Sequence, residues 1–259
     1  MEIITAFVIV SGIVLVSYYR KALDISGSLL SLLIGTVIIF AKGLEFLTVL
    51  LAFFISSTLL TKYRSSFKKQ LEEDLYEKTG TRDWQQVLAN GAMGMVCAFL
   101  YWLYPSEELT FAYYASFAAA NADTWASEIG VLSKKPPISI IHFRRVERGI
   151  SGGVSLRGLV ASVLGACLIG LLYGFFTSDW HGTLLLTLIG FAASLLDSVL
   201  GAVFQPLYFN RQKGILTEKA READKMNEKV KGISWFDNDV VNLVCSVTAS
   251  VAGWCLKYF

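Results

Sequence analysis

Charge is scarce in this 259-residue chain: 17% of residues are Asp, Glu, Lys or Arg, against 54% hydrophobic and 13% aromatic. With a mean hydropathy of +0.53, that balance excludes an ordinary soluble globule and describes a polytopic membrane protein. A net charge of only +2 argues against a nucleic-acid partner. Histidine occurs twice, as His142 and His181, and both are read as structural. The four cysteines, Cys97, Cys167, Cys245 and Cys255, lie in apolar stretches without CxxC or other metal-ligand spacing, so they read as small buried hydrophobes. There is no G-x-x-x-x-G-K-[ST] phosphate loop. No strand alternation supports a barrel. No basic segment precedes the first apolar run, which therefore reads as a retained span and not a cleaved signal.

Long apolar runs are what the chain does have. A bilayer core of about 30 Å needs roughly 20 helical residues, and eight segments qualify: Glu2 to Ser17, Ile25 to Ala41, Glu45 to Thr61, Trp84 to Tyr104, Leu109 to Leu132, Val154 to Thr177, Gly182 to Leu207 and Asp237 to Leu256. Backbone groups cannot be left open to lipid, so helices are the default. The expected fold is an all-α polytopic transmembrane bundle of about eight spans, forming one domain over residues 1–259. Alternate connections hold 21 of the 23 basic residues, and the other side keeps only Lys42 and Lys257. Cytoplasmic loops are enriched in Lys and Arg, so both termini are expected outside. The charged stretches Lys62 to Arg82 and Arg211 to Lys231 read as solvated helices on the membrane surface.

This topology assigns a depth to each polar residue. Asp123 lies about fourteen residues into the fifth span and Asp197 about fifteen into the seventh, roughly 21 to 23 Å down at 1.5 Å per residue. Both fall in the cytoplasmic half, where Asn90, Asp239 and Asn242 also arrive from spans running the other way. Asn121, Ser127 and Ser198 accompany the acids. Carboxylates in spans are costly and usually functional, so Asp123, Glu128 and Asp197 are the candidate catalytic residues and ligands for Mg²⁺. Asp123 and Glu128 are five apart, about 140° round an ideal helix, so both can face one ion only if the helix breaks or ends at Gly130. Small residues such as Ala118 to Ala120, Ala122, Ala192 and Ala193 would let these helices approach closely.

The loop from Lys134 to Gly158 sets six basic residues against one acid, Glu147. Its glycines free the backbone to turn N–H groups toward an anion. An oligophosphate is expected to rest there on Lys134, Arg144, Arg145, Arg148, Ser151, Gly152, Gly153 and Ser155, at the start of the sixth span. The alternative is an ordinary positive-inside loop with a glycine hinge.

The motifs Q-V-L-A-N-G (Gln86 to Gly91), N-A-D-T-W-A-S-E-I-G (Asn121 to Gly130), R-R-V-E-R-G-I-S-G-G-V-S-L-R-G (Arg144 to Gly158), L-D-S-V-L-G-A (Leu196 to Ala202) and N-D-V-V-N (Asn238 to Asn242) resemble the integral membrane family named domain of unknown function 92. That family includes the plant phytyl-phosphate kinases, and polyprenol kinases are a more distant likeness. The resemblance implies a kinase that phosphorylates an isoprenoid lipid or its phosphate at the cytoplasmic face, with Mg²⁺ and a nucleoside triphosphate, CTP or ATP. Ile150 and Leu159 stand where plant members carry threonine, so the phytyl chain itself is not implied. A transporter or flippase of an anionic substrate is the alternative, but the outer connections offer it only Glu107, Glu108, Asp179 and His181. The expected partner is a membrane lipid, with no nucleic acid, in the plasma membrane of a prokaryote.

Overall fold

The computed structural model describes residues 3–63, 80–222 and 225–257. Among them are eight helices: α1 (Ile3–Tyr19), α2 (Ile25–Lys42), α3 (Leu44–Lys62), α4 (Trp84–Leu103), α5 (Glu107–Gly130), α6 (Leu156–Thr177), α7 (Trp180–Val203) and α8 (Asn238–Leu256). Their starts are written in the sequence. Asp24, Asp83, Ser106, Ser155, Asp179 and Asp237 each accept a hydrogen bond from a first-turn backbone N–H, which satisfies a donor that the helix cannot. Gly43 separates α2 from α3 at a φ of 62°, so the hairpin expected at Lys42 and Gly43 forms.

Six of these helices are long and apolar enough to cross a membrane by length and composition. The two others depart from that pattern for different reasons. α1 has 17 residues. α5 is long enough but sits at the centre of the bundle, packed against α3, α4, α6, α7 and α8, so protein and not lipid covers it. Its run from Thr110 to Ala122 is buried throughout, and small residues there permit close approach. A Cβ on Gly165 of α6 would come within 2.9 Å of Asn121 O, and one on Gly190 of α7 within 2.8 Å of Ala118 O. The aromatic core stands at the opposite end of α5 from Asp123 and Glu128: Tyr113 stacks on Phe46 with centroids 3.9 Å apart and donates a 2.6 Å hydrogen bond to its carbonyl.

Between α5 and α6 the glycine-rich connection is folded, not loose. β1 (Ile138–Ser139) pairs antiparallel with β2 (Gly153–Val154), and Ile140 N donates to Gly152 O at 2.9 Å. The seventh span ends at Val203, four residues short of the expected Leu207, because Leu207 opens a strand. The surface helix expected over Arg211 to Lys231 does not form. In its place β3 (Leu207–Asn210) pairs antiparallel with β4 (Ile215–Thr217) and β7 (Glu228–Lys231), and β5 (Arg221–Glu222) pairs with β6 (Lys225–Met226). Leu-Tyr-Phe and Ile-Leu-Thr favour strands. Asn210 Oδ1 accepts from Gln212 N and Lys213 N, which sets the turn that ends at Gly214 with a φ of 67°. The other expected surface helix, Lys62 to Arg82, falls largely outside the described residues.

The basic connections gather at one end of the bundle. Lys62 Nζ donates to Arg20 O at 2.9 Å and Thr81 Oγ1 to Lys21 O at 3.1 Å. Lys42 and Lys257 lie at the other end, where Lys42 pairs with Glu45 at 3.0 Å and Lys257 with Asp179 at 2.8 Å.

Candidate functional site

At the end of the bundle that carries the basic connections, a cavity of about 380 Å³ opens among α3 to α8 and the glycine-rich loop. α5 and α7 run parallel along its floor. Gly182 meets Phe111, Gly190 meets Ala118, and further along the same two helices the carboxyl groups of Asp123 and Asp197 come within hydrogen-bonding reach of each other. Neither acid has an ion-pair partner among the described residues. Asp197 Oδ2 is buried and receives no hydrogen bond, and Ser162 Oγ on the neighbouring wall is buried and unpartnered as well. Two adjacent carboxyl groups in that setting either share a proton or hold a cation.

Glu128 lines the same cavity but does not join this pair. α5 continues unbroken to Gly130, so the rotation between positions 123 and 128 turns Glu128 toward α3, where Thr61 Oγ1 donates to it at 2.5 Å. No three His, Cys, Asp or Glu side chains among the described residues gather as a metal cluster. A cation here would therefore take two protein carboxylates and complete its shell from water and phosphate, which is how Mg²⁺ is usually held.

The expected phosphate ligands separate in the same way. Arg148, Ser151, Gly152, Gly153 and Ser155 line the cavity, whereas Lys134, Arg144 and Arg145 do not. Arg148 Nη2 donates to Lys134 O at 2.7 Å, which steadies the guanidinium at the rim. Gly149 and Gly152 have φ of 83° and 86°, the left-handed region that favours glycine; Gly153 does not. A Cβ at Gly152 would collide with Ala202 on α7, so this glycine also lets the loop lie against that helix. Ser155 is occupied as the cap of α6, accepting from Gly158 N at 3.1 Å.

Of the supporting residues, Asn90, Ser127, Ser198, Asp239 and Asn242 line the cavity. Asn121 is buried away from it, accepting from Ser56 Oγ at 3.0 Å and donating to Gly165 O at 2.8 Å. It ties α3, α5 and α6 together.

Two residues that matter here were not singled out by the sequence. Arg82, counted only as part of a charge run, lines the cavity just before α4. Its Nη2 donates to Ser57 Oγ at 2.9 Å, and its guanidinium lies 5.6 Å from the ring centres of Phe53 and Phe54. Burial lowers its pKa to about 10 against the opposing charge of Glu128, so it stays a cation at neutral pH. Glu218, which follows β4, reaches into the cavity to accept from Ser151 Oγ and from Gln205 Nε2, the latter at 2.8 Å. Burial pushes its carboxyl up to about 7, and the two hydrogen bonds oppose that shift. No local pattern marks either residue, because each acquires its role through partners distant in sequence.

Comparison with known proteins finds relatives along almost the whole chain. Protein PGR of Arabidopsis thaliana is 32% identical over 275 residues, covering 96% of this chain and 94% of that protein. An uncharacterized membrane protein of Methanocaldococcus jannaschii is 30% identical over 253 residues, covering 98% and 93%. Protein VTE6, chloroplastic, of Arabidopsis thaliana is 27% identical over 246 residues, covering 92% of this chain and 66% of that protein. No solved structure matches the chain. The model of the family described as integral membrane protein DUF92 matches residues 8–250, and the chain belongs to that family.

Proposed function

We propose that this integral membrane protein is a kinase that phosphorylates an isoprenoid phosphate with a nucleoside triphosphate at the cytoplasmic membrane face, in the plasma membrane of a prokaryote. The observation that carries this reading is the unneutralised pair Asp123 and Asp197, with its orphaned Oδ2, beneath a rim that offers Arg148 and left-handed glycines. The pair suits Mg²⁺, which when bound supplies charge neutralisation for the nucleotide phosphates. Arg148 and the turned backbone at Gly149 and Gly152 hold the phosphates of the triphosphate. Glu218 positions that loop through Ser151.

Phosphoryl transfer depends mainly on positioning and charge neutralisation. An oxygen of the acceptor phosphate attacks the γ-phosphorus, the bond from γ-phosphorus to the β,γ-bridging oxygen breaks, and the nucleoside diphosphate leaves with that electron pair. An ionised acceptor phosphate needs no general base, which suits a cavity whose described lining holds no histidine. A transporter would need polar groups exchanging on both sides, yet Lys42, Glu45, Asp179 and Lys257 at the outer end are engaged with one another in pairs.

The decisive experiment incubates pure protein in detergent with γ-labelled ATP or CTP, Mg²⁺, and a panel of isoprenols and isoprenyl monophosphates. Label is expected in an isoprenyl diphosphate. Absence of transfer to every acceptor, together with uptake of a labelled isoprenyl phosphate in proteoliposomes, would replace the kinase with the transporter.

A further inference from the structure

A second cavity, about 70 Å³ and almost wholly apolar, lies among α1 to α4, with Val10, Ile34, Leu51 and Phe54 in its walls. Its polar end is formed by Arg82, Gln86 and Asn90, and the same three residues line the larger cavity. Arg82, Gln86 and Asn90 therefore stand at the boundary between the two spaces. Gly35 and Gly91 in the wall let Val10 and Ile34 pack close, since a Cβ would come within 2.8 Å of Val10 and 3.1 Å of Ile34.

Resting on the kinase reading, we propose that this groove takes the head-proximal part of the acceptor's apolar chain while Arg82 binds the acceptor's phosphate. The ligand class follows from shape and charge. A neutral isoprenol brings no anion to the Arg82 guanidinium, and a two-chain phospholipid is too broad for so narrow a groove, which leaves a single-chain anionic amphiphile. Arg82 Nη2 donates to Ser57 Oγ at 2.9 Å, and a guanidinium carries five N–H donors in all. The flanking rings of Phe53 and Phe54 hold the guanidinium plane in place. The distal chain then lies against lipid along the outer faces of the first helices, where Leu29, Leu33 and Leu59 are exposed.

The test is a binding measurement on the full chain in detergent without nucleotide. The probe is farnesyl monophosphate carrying a diazirine on its first isoprene unit, and its adducts are mapped by mass spectrometry. Adducts are expected at Ile34, Leu51 or Phe54. Unlabelled farnesyl monophosphate should cut labelling about tenfold, while farnesol, inorganic phosphate and ATP should leave it within about twofold. Arg82→Gln should reduce groove labelling. So should Ser31→Phe, which fills the groove without touching a charge and covers the case in which Arg82→Gln fails to fold. Adducts confined to Leu29 and Leu59, or competition by farnesol, inorganic phosphate or ATP equal to that by farnesyl monophosphate, would overturn the proposal. Phosphoryl transfer with adducts elsewhere removes the groove and keeps the kinase; groove adducts without transfer do the reverse.

Discussion

Thr61 Oγ1 on α3 donates a 2.5 Å hydrogen bond to Glu128 Oε1 on α5, and this bond divides the three candidate acids, Asp123, Glu128 and Asp197, into two groups. Glu128 belongs to the wall that carries Arg82, whose guanidinium feels its charge. Asp123 and Asp197 form a separate pair on the floor, with no cation beside them among the described residues. The wall carries a cation with an acid beside it, whereas the floor carries acids alone.

The two groups should therefore respond oppositely to neutralisation. Asp123→Asn or Asp197→Asn is expected to reduce Mg²⁺-dependent transfer by about 100-fold or more, the scale of a lost electrostatic contact in the transition state. Thermal stability without metal should hold or rise, because one of two adjacent buried charges has gone. Glu128→Gln should lower stability by about 1–3 kcal/mol, because it strips the counter-charge from Arg82 and weakens the acceptor for Thr61. Melting curves of the three variants in detergent, with and without Mg²⁺, check both directions.

At the rim, position decides which arginines act. Arg148→Lys keeps the charge but loses the guanidinium fork, and transfer should fall about tenfold or more, roughly 1.4 kcal/mol. Arg144→Lys and Arg145→Lys, away from the cavity, should stay near wild type. Gly152→Ala should cost about 1–3 kcal/mol from its left-handed φ alone, plus the collision with Ala202. Adding Ala202→Gly removes the collision but not the strain, so rescue should be partial. Full rescue would mean that packing alone requires Gly152.

Periodicity and charge made the bundle legible, because lipid-facing helices must be apolar throughout and loops sort by sign. The acidic pair was legible too, since Asp123 and Asp197 sit at matching depths on helices of like direction. The motifs that carry them also have a physical sense: Gly130 ends α5 beside Ser155 and Gly158, and Gly201 on α7 meets Ser151 and Gly152, so each glycine lies against the glycine-rich connection. What could not be read was lateral position. Asn121 and Asp123 are two residues apart, yet one points into packing and the other into the cavity. The sheet after α7 did carry a signal, in Leu-Tyr-Phe-Asn, a turn ending in Gly214 and then Ile-Leu-Thr, which the count of charges in that stretch obscured.

Glu218 should give the protein a pH dependence near neutrality. Its folded pKa of about 7 lies above the ordinary 4.5, so the folded state holds the proton more tightly and this group's contribution to stability falls as pH rises between those values. Above about 7 the contribution levels off. Glu218→Gln cannot ionise and should melt with less pH dependence between pH 5 and 8. Measuring the melting temperature at half-unit steps checks the sign; a wild-type curve that rises across this range, with the rise lost in Glu218→Gln, would contradict it.

The last prediction concerns sidedness. The two lysines that depart from the positive side are each held by an acid and by aromatic faces: Lys257 by Asp179, with Phe111 at 5.7 Å and Tyr173 at 5.6 Å, and Lys42 by Glu45, with Phe46 at 5.5 Å and Tyr101 at 5.3 Å. Their charges are compensated locally, so they do not oppose the bias of the basic loops. A variant lacking the four native cysteines, with single cysteines at His181, Phe143 or Gln212, tests the arrangement in intact cells. An impermeant maleimide should label position 181 directly, and positions 143 and 212 only after permeabilisation. The reverse pattern would move the Asp123 and Asp197 cavity to the outer face, where no nucleoside triphosphate is supplied, and the kinase reading would fall with it.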